Sequence, residues 1–560
     1  MTQPRPSTGA DSDPADSGPV EPDPSEHPDT ATEPSGRGGL LRVLEDRGLC
    51  AVLVMVVLWC AVMYLHVWRR HDRYGTFDND LGFHDQFVWL LARGKTFSTV
   101  LGLPPFGHNA TFGYFLLVPF SWLGMGPQGL NLINTLAVGL GAVPLYLLAR
   151  DRLGDPWRAV PFGLVWLLHP VVQGNVWETF HPDALAMAPL LAAYLCASRR
   201  RWWWFGLWAT LALIWKADVS LALAAMGVLI ALRWNRRVGW ATVGIAVLWF
   251  TLTVGVMIPR NSGGGTVFGP LYGDLGDTPL DVAKTAVTDP AKVVRRVGEH
   301  EPVRYGRDLL APYGMVPLLS PAPLLIGAPQ AMINVLSDLP FTREWRDNHH
   351  YQALPMVAMA IALVEAVGWL DRHSTGWLGR ASARRRGRSG GPERPKTGTI
   401  GSQNGGGVRV AGVVTAFVVA TSFAATVAWG PLPPFTTQFA HYWSADGDPA
   451  RAAKDRVIEL VGPTAPVSAH YLLVPHLTHR EVVYSFPNPW RQVFYGVAGT
   501  ELPDPRGVKV LAMDTNLLDD STRQLWDCII GSGAFGVLWE SEGIVYAERI
   551  EGRDDDLACR

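Results

Sequence analysis

The residues best suited to do chemistry lie in short polar runs between long apolar ones. The first, Phe77-Asp78-Asn79-Asp80-Leu81-Gly82-Phe83-His84-Asp85-Gln86, places three carboxylates within eight residues. That density offers a general base or an anchor for a divalent cation; the simpler alternative is an acidic loop in which Asp80 or Asp85 serves the N-terminus of a helix over 85–93. His108-Asn109 follows and reads either as a satisfied polar turn or as part of the site. The ten-residue connection 174–183 holds Glu178, His181 and Asp183. Asp183 suits the start of the next helix, which leaves Glu178 and His181 to face a cavity. In Lys216-Ala217-Asp218, opposite charges two residues apart are suited to binding a phosphate or to compensating each other in a tight turn. In His349-His350-Tyr351 the adjacent imidazoles diverge on any regular element, so at most one faces a shared site.

None of these runs has zinc-ligand spacing, and the five cysteines form no CxxC pair. Cys528 and Cys559 either pair in an oxidising compartment or remain free thiols. No metal ligand set is assigned. The candidate binding groups are His84, His108, Glu178, His181, Lys216, Asp218, His350 and Tyr351, with Asp80 and Asp85 as the candidate carboxylates.

The elements that must position these groups are apolar and long. The stretches 50–68, 239–258 and 410–430 carry no charge, and each is long enough to cross about 30 Å of hydrocarbon. With 48 % apolar and only 18 % charged residues, the pattern excludes an ordinary soluble enzyme. A formal charge of −2 gives no footprint for nucleic acid. Eleven spans are expected, at 49–68, 129–149, 159–173, 184–198, 202–216, 219–232, 239–258, 308–320, 322–336, 352–370 and 410–430. The segment 112–124 is apolar but short and reads as re-entrant or interfacial.

Arginine clusters at 150–158, 199–201, 233–238 and 371–409 place those loops in the cytoplasm, and the polar runs above on the outer face. Arg69, Arg70 and Arg73 follow the first span on the outer side, against that rule. Residues 1–39 are Pro-, Ser- and acid-rich and are expected to be a disordered cytoplasmic tail, with no cleavable signal before the first span. The membrane domain occupies 40–370, a basic linker 371–409 with a Gly/Ser-rich stretch, and a last span 410–430. Residues 431–560 read as a small extracytoplasmic α/β domain, with strands near 466–469, 481–486, 508–513, 535–539 and 544–548 and helices over 449–461 and 521–530. The expected fold is thus an α-helical polytopic protein of the plasma membrane with a C-terminal α/β domain.

Four motifs occurring in order, Asp80-Leu81-Gly82-Phe83-His84-Asp85-Gln86, Phe180-His181-Pro182, Lys216-Ala217-Asp218-Val219 and the tail run from Val467 to Arg480, resemble domain-of-unknown-function family 2079 over about residues 45–515. Two positions depart from its pattern: His84 stands where the family has Phe in an Ile-Phe-Asp-Gln run, and Ala217 where it has an acid. That family is similar to the GT-C superfamily of membrane glycosyltransferases. The resemblance implies a GT-C-like helical domain, a catalytic carboxylate in the first outer loop, here Asp80 or Asp85, and a polyprenyl-phosphate-linked sugar as donor at the outer face. The activity so implied is inverting glycosyl transfer, with a divalent cation or a side-chain cation neutralising the leaving group. The alternative is a non-enzymatic transporter or lipid-handling protein that uses the same polar groups for binding. Sugar, acceptor and oligomeric state are left open.

Overall fold

The computed structural model of the chain describes residues 45–264, 269–344, 350–386, 405–431 and 445–560. The tail 1–39, His349 and most of the Gly/Ser-rich linker lie outside the described residues. Contacts divide the chain at Glu45, and the account below concerns Asp46 onward.

Among the described residues, five helices are long and apolar enough to cross a membrane: Arg47–Asp72, Pro127–Leu153, Arg236–Asn261, His350–His373 and Val410–Trp429. A sixth candidate is the pair Pro156–Leu168 and Pro170–Trp177, bent by 47° where Pro170 cannot continue the hydrogen-bond ladder. The expected spans 184–198 and 219–232 are the shorter apolar helices Pro182–Ser198 and Val219–Arg233. The one expected at 202–216 stops at Leu213.

The spans expected at 308–320 and 322–336 are not continuous helices. Pro312, Gly314, Pro317, Pro321 and Pro323 divide this region into 3-10 turns at Ala311–Tyr313, Val316–Leu319 and Ala322–Ile326, followed by the helix Ala328–Leu336. Apolar composition had suggested spans where the prolines forbid the geometry. Tyr114–Trp122, within the segment expected to be interfacial, has nine residues, about 14 Å of helix and too short to cross. The helix beginning at Ala353 runs on to Arg386, into the segment expected to be linker.

Arg47–Asp72 illustrates the packing. Val52, Val56, Cys60, Met63 and Val67 are buried at intervals of three and four residues, while Val54, Val57, Leu58, Val62 and Leu65 remain exposed as an apolar outer face. This is the pattern of a helix between protein and lipid. Gly139, at the centre of Pro127–Leu153, allows close approach: a Cβ there would lie 2.6 Å from Cys60 Sγ.

The two ends of the bundle are polar in different ways. At one end Asp46 caps the first helix and accepts from Arg150 and Tyr146. Near it, Arg152 pairs with Glu365, Arg158 with Asp371 and Arg199 with Asp151. The other end carries the carboxylates and imidazoles of the candidate site and receives the C-terminal domain.

That domain is a five-stranded sheet in the order β2-β1-β3-β5-β4, with β1 Val467–Ala469, β2 Val483–Ser485, β3 Val510–Asp514, β4 Phe535–Ser541 and β5 Ile544–Arg549. β1 is parallel to β2 and β3, and β5 is antiparallel to β3 and β4. Helices Pro449–Val461 and Asp520–Gly531 complete it, close to the expected positions. A Cys528–Cys559 disulfide joins the second helix to the chain end. The domain is docked by side chains as well as by packing. Thr99 Oγ1 donates to Val483 O and accepts from Val483 N, both at 2.9 Å, so it closes the free edge of β2. Gln86 Nε2 donates to Arg480 O at 3.2 Å.

Candidate functional site

The acidic run folds as a π-turn, Asp78–Gly82, that leads directly into the helix Phe83–Leu91. A π-turn is uncommon and frequently occurs at functional sites. Here it sends the three carboxylates in different directions. Asp78 is buried and bonds the Ser485 side chain; burial is the main cause that pushes its carboxyl up to about 6. Asp80 is partly exposed at a cavity. Asp85 turns into the C-terminal domain, where Oδ2 accepts from Thr478 Oγ1 at 2.6 Å and meets His479 Nε2 at 3.1 Å.

The Asp80 carboxylate lies 3.2 Å from His181 Nε2. His181 immediately precedes Pro182, the first residue of its helix, so the chain is still extended there and the ring reaches back across the end of the bundle. Burial alone would pull this imidazole down. The hydrogen bond and charge of Asp80, followed by Glu178 and Asp183, outweigh it and hold it above the ordinary 6.5. His181 stacks on His350, with ring centroids 3.7 Å apart, and His350 Nδ1 meets Glu178 Oε2 at 3.4 Å. Two carboxylate–imidazole pairs, Asp80 with His181 and Glu178 with His350, are therefore laid face to face. His181 Nδ1 is buried and has no hydrogen-bond partner among the described residues.

Asp80, Glu178 and His350 border a cavity of about 650 Å³ whose wall also includes Asn79, His108 and Tyr351, while the buried His181 touches Asp80 and His350 without lining it. His108 packs edge-on against Phe83; burial first, then the charge of Lys216, pushes it down to about 3 and keeps it neutral. An adjoining cavity of about 390 Å³ shares Leu271 and Tyr351 with the first and holds Lys216 and Asp218. Lys216 Nζ lies 3.1 Å from Asp183 and 3.4 Å from Asp218, and 5.9 Å from the centre of the Tyr351 ring. Its ammonium is thus committed to two carboxylates. Burial pulls it down, but those carboxylates keep it charged. His84 sits behind the cavity, bonded to the Tyr114 hydroxyl through Nδ1 and edge-on to Phe180.

The structure therefore gathers Asp80, His108, Glu178, His350 and Tyr351 on the wall of one chamber, with His181 held against Asp80 and His350 and Lys216 and Asp218 in the adjoining cavity. Asp85 and His84 are used in packing around it. Among the described residues, no three His, Cys, Asp or Glu side chains come together so as to hold a metal ion.

Arg70 was missed as a site residue. It is 3 % exposed yet borders the same cavity, with its guanidinium 4.7 Å from the Trp177 ring centre and 5.5 Å from that of Phe77. It donates to the Gly75 and Trp177 carbonyls. Its signal in the sequence was its position against the positive-inside rule. Its neighbour Arg73 pairs with Asp446, and Arg451 joins Asp446 to Asp72, so Arg73 is partnered at the domain junction.

A separate apolar groove of about 670 Å³ runs along Pro182–Ser198, lined by Leu185, Ala188, Ala192 and Leu195. Trp215, next to Lys216, also borders it, as do Arg199 and Arg201. From Leu185 to Arg199 the helix extends about 21 Å.

The family described as Predicted membrane protein (DUF2079) matches residues 70–496. Comparison with curated proteins finds no match. Among solved structures, the chain is similar to ArnT from Cupriavidus metallidurans bound to undecaprenyl phosphate, at 15 % identity and a TM-score of 0.45, covering 89 % of this chain and 98 % of that one. It is also similar to the apo state of the same protein, at a TM-score of 0.44, 15 % identity and the same coverage. The Archaeoglobus fulgidus oligosaccharyltransferase in the apo form is similar at 11 % identity and a TM-score of 0.42, covering 84 % of this chain and 70 % of that one.

Proposed function

The chain belongs to the DUF2079 family of predicted membrane proteins, and within that family we propose that it is an inverting GT-C-type glycosyltransferase using a polyprenyl-phosphate-linked sugar at the outer membrane face. The observation that carries this reading is the Asp80 carboxylate, held 3.2 Å from His181 on the wall of a chamber that Arg70 also borders.

In this reaction the acceptor hydroxyl oxygen bonds to the anomeric carbon of the sugar as the bond from that carbon to the phosphate oxygen breaks. The hydroxyl proton passes to Asp80, and the bonding electron pair leaves on the phosphate. A base in hydrogen-bond reach of the hydroxyl and a cation near the leaving group are what the step requires. Asp80 is the base, and His181 orients it. Arg70, with Nε and Nη1 held by the Gly75 and Trp177 carbonyls, contributes a fixed positive charge on the chamber wall for the leaving phosphate. Lys216, already held by Asp183 and Asp218, acts at longer range. The apolar groove along Pro182–Ser198 suits a long isoprenoid chain.

Placing this end of the bundle outside agrees with the arginine-rich opposite end and with the Cys528–Cys559 disulfide, which favours an oxidising compartment. The domain division follows: a membrane domain from the first span to about 370, a basic cytoplasmic segment, the last span, and an outer α/β domain. A carrier would draw support from the bent Pro156–Leu168 and Pro170–Trp177 pair, since broken helices mark many transporter sites. At that break, however, His169 Nδ1 accepts from Val171 N, which is a helix cap.

Mass spectrometry of lipids that co-purify with the protein in detergent tests the reading. It expects a polyprenyl phosphate or its sugar conjugate. Recovery of bulk phospholipid alone would count against it.

A further inference from the structure

The C-terminal domain does more than pack against the bundle, because one of its loops forms part of the chamber wall. Gln492, Phe494, Gly496 and Ala498 border the same cavity as Asp80. Phe494 is unusual in two respects. Its side chain is 76 % exposed, and its backbone is left-handed, at φ +48°, a conformation costly for a bulky residue.

The surrounding loop is pinned so that this conformation is imposed. Before Phe494, Asn488 Oδ1 accepts from Val493 N at 3.1 Å and Asn488 Nδ2 donates to Val493 O at 2.8 Å. After it, Gly496 N donates to Leu101 O at 2.7 Å. Gln492 Nε2 bridges the loop by donating to Tyr495 O at 2.7 Å and Val497 O at 2.8 Å. Tyr495 is buried against Gly102, where a Cβ would lie 2.5 Å from the ring. The fold thus holds an exposed aromatic ring on the wall of the chamber in a strained backbone conformation. Hydrophobic burial does not account for this placement.

We propose that Phe494 is the stacking platform for a pyranose ring of the acceptor, which it presents to Asp80. The chemistry of the wall favours a sugar. Asn79, Asp80, Glu178 and Gln492 supply the carboxylate and amide groups that hydroxyls bind, and Phe494 supplies a flat apolar face for the C–H side of the ring. The cavity, at about 650 Å³, lies within the roughly 300–1,000 Å³ range of small-ligand sites. This proposal rests on the glycosyl-transfer reading and adds the acceptor's class and its docking residue.

The test uses the full-length protein in proteoliposomes, with donor and acceptor varied separately. Phe494→Ala should raise the acceptor KM about tenfold, the size expected for loss of one aromatic contact, while leaving the donor KM and kcat within about twofold. Phe494→Trp should restore the acceptor KM. An unchanged acceptor KM in Phe494→Ala, or an equal rise in donor KM, would overturn the proposal. A direct measurement stands apart from turnover: titrating the Phe494→Trp protein with methyl glycosides should change its tryptophan emission saturably relative to the wild type. The absence of any such change across a panel of methyl hexosides and pentosides would also overturn it. Saturable glycoside binding by Phe494→Trp, with no sugar transfer by the wild type, would refute the glycosyl-transfer reading and leave the sugar platform standing.

Discussion

Asp80 and His181 are 101 positions apart in the chain and 3.2 Å apart in space. Their contact joins the first polar loop to the one that precedes Pro182–Ser198. Because His181 is buried and Asp80 partly exposed, the imidazole fixes the carboxylate from the protein side and leaves it open to the chamber.

The protonation of this pair makes stability depend on pH. Folding raises the His181 imidazole above its ordinary 6.5, against burial and chiefly through Asp80. The native state therefore holds that proton more tightly than the unfolded chain. The stabilisation is complete below 6.5 and is lost as pH rises through the folded-state value. Thermal unfolding followed across that window should show the decline, and His181→Gln should remove that part of the pH dependence.

Asp78 gives a second, independent pH effect. Its carboxyl is raised by burial from 3.8 to about 6, so the native state binds more protons than the unfolded state between those values, and stability falls as pH rises across them. At neutral pH, Asp78→Asn should stabilise the protein by on the order of 2 kcal/mol, measured as a rise in Tm that disappears in acid.

Asp80 and Asp85 are separable by mutation. Asp85 is bonded to Thr478 and His479 of the C-terminal domain, and removing one partner from a buried charged hydrogen bond costs about 1–3 kcal/mol. Asp85→Asn should lower Tm while retaining most sugar transfer. Loss of transfer at unchanged Tm would instead assign the base to Asp85.

Arg70 should be required for handling the donor. Arg70→Met should cut transfer by about 10²-fold or more, in line with losing one preorganised charge contact. Arg70→Lys should recover only part of it, since an ammonium cannot keep both carbonyl bonds that fix the charge in place. Elution of both variants as intact protein by size-exclusion chromatography separates this loss from misfolding.

Much of this arrangement was visible in the residues. His181, Glu178 and His350 stood out because ionisable groups beside apolar spans are costly, and the strands of the C-terminal domain because their β-branched runs alternate between turn residues. The region 308–336 was misread because hydropathy outweighed its prolines. The different fates of Asp78, Asp80 and Asp85 depend on a π-turn that spacing does not reveal, and Asp85 found its partners 393 positions away. Arg70 registered only as an exception to charge topology. Phe494 left no trace, because an aromatic in a loop has no period to betray its direction.

The most direct measurement is sugar transfer by Asp80→Asn in proteoliposomes supplied with the polyprenyl-phosphate sugar that co-purifies with the wild type. The account predicts that transfer falls to background while protein level, elution as intact protein on size exclusion and donor binding are kept. Transfer at the wild-type rate in that variant would contradict it.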